Sequence, residues 1–145
     1  MNQLKINQLF KDKKYKETLP FLLNIDSLHK KDTYITNALG KVYCNLDSLD
    51  TSKKYFKKLS YIDSEGYKAN TYLGHIAVKQ KDYRAAMINY MVATYKGQED
   101  RDEEYYGLAS VYYETKKPKR AMKAFEQAFK ENRRNYRALY QLAKI

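Results

Sequence analysis

His29, His75 and Cys44 are the first residues to weigh for catalysis or metal binding, because the sequence holds two histidines and one cysteine. A zinc site draws three or four His, Cys or acidic ligands from characteristic spacings. His29 falls in a turn between helices and His75 follows Gly74 within a helix; neither has a His or Cys partner at such a spacing. Cys44 cannot form an internal disulfide and reads as a small apolar residue on a helix. The acids Asp100, Asp102, Glu103 and Glu104 cluster where a helix begins, and carboxylates favour the positive end of a helix. They read as helix-start charges, not as a paired general acid and base. The glycines stand singly at 40, 66, 74, 97 and 107, so no phosphate-cradling loop is encoded. The sequence predicts no enzyme, no metal and no cofactor.

What remains is binding through a surface. The 145 residues include 5 Gly and 2 Pro, too few for the many tight turns of an all-β fold. Helices joined by short polar loops are expected. No run of 18 apolar residues encodes a membrane span. The first ten residues lack the apolar core of a secretory signal, and the compartment stays open. The net charge of +11 is spread along the chain; solvated Lys on outer helix faces accounts for it, and an anionic partner is the second reading.

Spacing organises the helices. Leu39-Gly40, Leu73-Gly74, Leu108-Ala109 and Leu142-Ala143 recur at intervals of 34, 35 and 34 residues. Each of the first three pairs lies in an apolar helical stretch followed by a polar turn and a second apolar helical stretch. Such a period predicts an all-α, right-handed α-solenoid of stacked antiparallel helix hairpins. One domain, 1–145, is expected, with repeats at 1–32 (partial), 33–66, 67–101, 102–135 and a truncated first helix at 136–145. The one-residue expansion is assigned to the polar segment 97–102.

Caps follow the same register. Asp32, Asp47 and Asp82 are expected as helix N-caps, Gly97 as a C-cap and Pro118 in a first turn. Arg133 and Arg134 are expected to close the helix that Pro118 opens. Pro20 should bend its helix or free one carbonyl. Leu73, Ala86, Tyr90, Leu108, Ala121 and Phe125 are the expected core. The apolar stripe Tyr136, Leu139, Leu142 and Ile145 is expected to pack on the preceding helix and leave one side open for weak self-association. With no polar capping helix after it, the chain reads as part of a larger protein.

These residues resemble the tetratricopeptide repeat family, which places large–Leu–Gly–Tyr in the first helix and Ala–Phe–Ala in the second of a 34-residue unit. The matches are Leu39-Gly40-Tyr43 with Phe56, Leu73-Gly74 with Ala86-Tyr90-Ala93, and Leu108-Ala109-Tyr112 with Ala121-Phe125-Ala128. Small residues let the two helices of a hairpin approach, and the large ones fill the space between hairpins. Ser52 and Leu59 depart from the two Ala positions. The Pro that often ends the family's second helix is absent, with Ser64 and Arg133 near that slot.

The resemblance implies a groove lined by first helices. Residues opposite the Leu-Gly-Tyr face point into it: Tyr34, Asn37 and Lys41; then Lys68, Thr71, Tyr72 and His75; then Tyr106, Ser110 and Tyr113; then Arg137 and Tyr140. Tyrosines with amides, hydroxyls and cations suit peptide recognition. The family's carboxylate clamp is not encoded. Its slots in the frame from Thr33 hold Asn37, Lys41, Tyr72, Glu103 and Gly107. One repeat earlier, Asn7 and Lys68 fit but Gln3, Ala38 and Tyr72 do not. The expected function is a non-catalytic protein–protein interaction module or scaffold that binds a peptide or protein segment. The alternative is an RNA- or polyanion-binding helical repeat, against which Glu103 and Glu104 interrupt the groove.

Overall fold

The computed structural model describes residues 3–63, 66–97 and 99–145. Ser64, near the absent family Pro, and Gln98, in the segment assigned the extra residue, lie outside them. Helices are the only regular elements among the described residues. The chain divides into two compact units, Met1–Ser64 and Glu65–Ile145. The first holds α1 (Gln3–Lys11), α2 (Tyr15–Leu28), α3 (Thr33–Asn45) and α4 (Leu49–Ile62). The second holds α5 (Lys68–Lys79), α6 (Tyr83–Lys96), α7 (Asp102–Glu114), α8 (Pro118–Glu131) and α9 (Tyr136–Lys144).

Four hairpin turns share one geometry. Lys13, Asp47, Lys81 and Lys116 have φ of 56°, 62°, 58° and 62°. The next residue's N–H donates to the carbonyl five positions back: Lys14 to Leu9, Ser48 to Tyr43, Asp82 to Ala77 and Lys117 to Tyr112, at 2.8–2.9 Å. This is the wide bond of a Schellman-type helix stop, in which glycine usually takes the left-handed position. Here Lys or Asp takes it every time, which is how a glycine-poor chain makes regular turns.

The Asp32 and Asp82 side chains cap α3 and α6 by accepting from the N–H groups of Ile35 and Ala85 at 3.1 Å. Asp47 does not cap α4, because it occupies the left-handed turn position and Ser48 takes the cap site. Pro118 begins α8. Arg133 and Arg134 lie past the end of α8, which is Glu131, and the Arg133 guanidinium sits 4.9 Å from the Phe129 ring centroid. α2 runs through Pro20 without a break.

In the first unit Ile6, Leu22, Leu39, Val42 and Phe56 are buried. A Cβ at Gly40 would stand 2.6 Å from Phe56 Cζ, so the ring as placed packs directly on the bare glycine. Ser52, at an Ala slot of the pattern, is buried and donates its hydroxyl to the Gly40 carbonyl at 2.6 Å. In the second unit Tyr90 plays the part of Phe56. A Cβ at Gly74 would come within 2.7 Å of its ring and one at Gly107 within 2.5 Å. Leu73, Ala86, Tyr90, Leu108, Ala121 and Phe125 are all buried, as the repeat register requires. α9 buries Ala138 and packs Leu142 on the cluster around Phe125 and Phe129, while Tyr136 and Leu139 stay exposed.

Candidate functional site

The predicted first-helix residues fall into two groups, one in each unit. In the first unit, α3 presents Tyr34, Asn37 and Lys41 beside Asn7 and Phe10 of α1, around a cavity of about 210 Å³. The Tyr34 hydroxyl donates to Asn7 Oδ1 at 2.7 Å, and burial pushes its pKa up. Asn37 Oδ1 is buried without a hydrogen-bond partner among the described residues. Phe10 was not anticipated, since α1 carries no Leu-Gly pair to set its register.

In the second unit, contacts between neighbouring first helices tie α5 to α7 and α7 to α9. Arg137 pairs with Glu103, and its guanidinium lies 4.5 Å from the Tyr106 ring centroid. Tyr106 meets Phe125 edge-on at 5.5 Å. Lys68 Nζ lies 3.6 Å from Glu104 Oε1 and 4.7 Å from the Tyr67 ring centroid. Tyr72 meets the His75 ring edge-on. Tyr113 and Tyr140 are exposed, and Lys144 sits over the Tyr140 ring. The Ser110 hydroxyl is turned onto the Tyr106 carbonyl at 2.9 Å.

Two expectations need correction here. Thr71 is 4% exposed and is not a surface residue; its hydroxyl donates to Glu104 Oε1 at 2.8 Å. Glu104 is no solvated helix-start charge. It is 0% exposed, and its Oε2 has no hydrogen-bond partner among the described residues. The register held a signal for this. Glu104 lies four residues before Leu108, the slot filled by Ile35 before Leu39 and Ala69 before Leu73, both buried. Glu103, one position earlier, stays exposed and takes Arg137.

Behind this face, His75 Nδ1 and the Tyr90 hydroxyl are 2.6 Å apart. Burial pushes the His75 pKa down, with Glu103 and Glu104 opposing and Lys68 and Lys79 reinforcing the shift. Burial raises that of Tyr90, helped by Glu103 and Glu104. Near neutral pH His75 is therefore uncharged and Tyr90 keeps its proton. With Nε2 carrying the imidazole proton, Tyr90 donates to Nδ1. The pair braces α5 against α6.

Helix hairpins joined by repeated turns define an all-α helical-repeat protein. The tetratricopeptide repeat family model matches residues 102–145, which span α7 to α9. No curated protein matches the chain in sequence. Among solved structures, MamA aligns with a TM-score of 0.85 at 17% identity over 98% of this chain and 81% of its own. pilF of Pseudomonas aeruginosa aligns with a TM-score of 0.87 at 18% identity over 97% of this chain and 64% of its own. YrrB, a TPR protein with an unusual peptide-binding site, aligns with a TM-score of 0.73 at 20% identity over 83% of this chain and 62% of its own. Residues 102–145 thus match the tetratricopeptide repeat family in sequence, and the fold of the chain is that of tetratricopeptide repeat proteins. The chain spans less than two thirds of YrrB and pilF. No helix among the described residues is long and apolar enough to cross a membrane.

Proposed function

We propose that the chain is a non-catalytic interaction module whose first-helix face in the second unit holds a segment of another protein. One observation carries this reading. The face sets the tyrosines 72, 106, 113 and 140, partly or well exposed, among cations that already have acidic partners, Lys68 with Glu104 and Arg137 with Glu103. Tyrosine offers a large contact area with little rotamer entropy to lose, together with a hydroxyl for polar groups of the ligand. A phosphate backbone needs unpaired cations, and the pairing of Lys68 and Arg137 makes this face a poor one for RNA. The likeness to YrrB, a peptide-binding protein of the same fold, supports the same reading.

The test is binding of a peptide selected from a random display library on the whole chain. Tyr106→Ala and Tyr113→Ala should each weaken it by about tenfold, roughly the 1.4 kcal/mol of a moderate contact residue. Circular dichroism should be unchanged. Unaltered affinity in both variants would move the site off this face.

A further inference from the structure

α6 differs from α4 and α8 on the side it turns away from its neighbours. Its main packing partners are α5 and α7. Ala86, Tyr90 and Ala93 fill the buried side, and the opposite side carries Arg84, Ile88, Met91 and Tyr95. Ile88 is 54% exposed, Met91 49% and Tyr95 90%. At helical spacing the four make one straight stripe of about 16 Å, three turns long.

The repeat supplies its own control. Counting from the large buried residue, the places of Ile88, Met91 and Tyr95 hold Lys54, Lys57 and Tyr61 on α4, and Lys123, Glu126 and Lys130 on α8. The fold therefore does not need apolar side chains at the places of Ile88 and Met91, whereas an exposed tyrosine at the place of Tyr95 recurs as Tyr61. A helix with apolar residues on opposite sides is expected to be covered on both, yet Ile88, Met91 and Tyr95 stand about half exposed or more. Exposed apolar patches of this kind mark interaction sites.

We propose that this face of α6 docks an acidic amphipathic helix of a partner protein. The charge decides among occupants. α6 contains Arg84 and Lys96 and no acidic residue, and the carboxylate of its N-cap Asp82 is engaged by the Ala85 N–H. A second copy seated on the stripe would set one Arg84 stripe against another on a chain of net charge +11. A helix with two or three apolar anchors at i, i+3 and i+7, flanked by Glu or Asp, covers Ile88, Met91 and Tyr95 and meets Arg84 with an opposite charge.

Two synthetic 18-residue peptides test this, both with Leu along one helical face. One carries Glu at the remaining positions and the other Lys. Fluorescence anisotropy with the whole chain should show the Glu peptide binding and the Lys peptide not. Ile88→Lys with Met91→Glu, which copies α8, should weaken the Glu peptide at least about tenfold, equivalent to 1.4 kcal/mol, with helicity unchanged. Arg84→Glu, which leaves the apolar residues in place, should weaken the Glu peptide and improve the Lys peptide. Equal binding of the two peptides, or equal binding to the wild type and the double variant, would overturn the proposal. So would self-association, or binding to phosphatidylserine vesicles, that the double variant abolishes while the Glu peptide fails to bind; the stripe would then belong to a second copy or a lipid surface.

Discussion

Thr71 and Glu104, 33 residues apart, meet inside the second unit, where the threonine hydroxyl donates to Oε1 at 2.8 Å. The carboxylate occupies a slot that holds Ala69 and Ala138 in the neighbouring first helices. Lys68 reaches it from a side chain that is itself more than half exposed. Thr71 has a second acceptor in the Tyr67 carbonyl at 3.3 Å. Glu104→Met should therefore leave no partner stranded and remove the desolvation of a half-satisfied carboxylate. Replacing buried ionic groups by apolar ones of similar volume is commonly neutral or stabilising by about 1–4 kcal/mol. Urea unfolding should show Glu104→Met at least as stable as the wild type. A loss above about 1 kcal/mol would mean that the Thr71–Lys68–Glu104 contact is a net source of stability.

Phe125 tests the core. It is buried among Ala109, Ala121, Ala124 and Ala128, residues too small to fill the space of the ring. Phe125→Ala should destabilise the chain by about 3–5 kcal/mol, the usual loss on emptying a packed aromatic site. A change below about 1 kcal/mol in thermal or urea unfolding would be incompatible with this packing.

The hairpin turns make a prediction of opposite sign. Lys116 has φ of 62° and an exposed side chain. A left-handed conformation disfavours a residue with a Cβ by roughly 1–2 kcal/mol, and glycine gives back part of this through its larger unfolded-state entropy. Lys116→Gly should raise stability by about 0.5–1 kcal/mol, seen as a higher melting temperature. A lower one would show that the lysine contributes something the turn geometry does not reveal.

His75 should make stability depend on pH. Burial lowers its pKa in the folded chain from the ordinary value of 6.5, so the unfolded chain takes up the proton first. The stability it contributes is complete above the unfolded value and is lost as pH falls through the folded one. Between about pH 7.5 and 5.5 the wild type should lose more stability than His75→Gln. Parallel losses would mean that His75 is not held neutral beside Tyr90.

Much of the fold was legible because stacking repeats the same physical demand every 34 or 35 residues. Gly40 and Gly74 must be small because Phe56 and Tyr90 press on them, and the spacing of such pairs exposes the period. The interaction residues were less legible. Three consecutive acids in the first turn of α7 look like charges favoured by the helix end, which hid the burial of Glu104. Thr71 was placed on the face by helical angle alone, and its partner 33 residues away could not be read from local spacing. The α6 stripe was hidden differently. Apolar residues in a helix read as core until the neighbouring helices show which side they cover.

The central claim, that the tyrosine-bearing first-helix face of the second unit holds a protein segment, is tested most directly by amide chemical-shift mapping. The labelled chain is titrated with the display-selected peptide and, separately, with a single-stranded RNA of random sequence. The account predicts that the peptide shifts residues of α5, α7 and α9 around Tyr72, His75, Tyr106, Tyr113 and Tyr140, with saturation. Shifts confined to α6, α8 or the loops, or saturable shifts of this face by the RNA and not by the peptide, would contradict it.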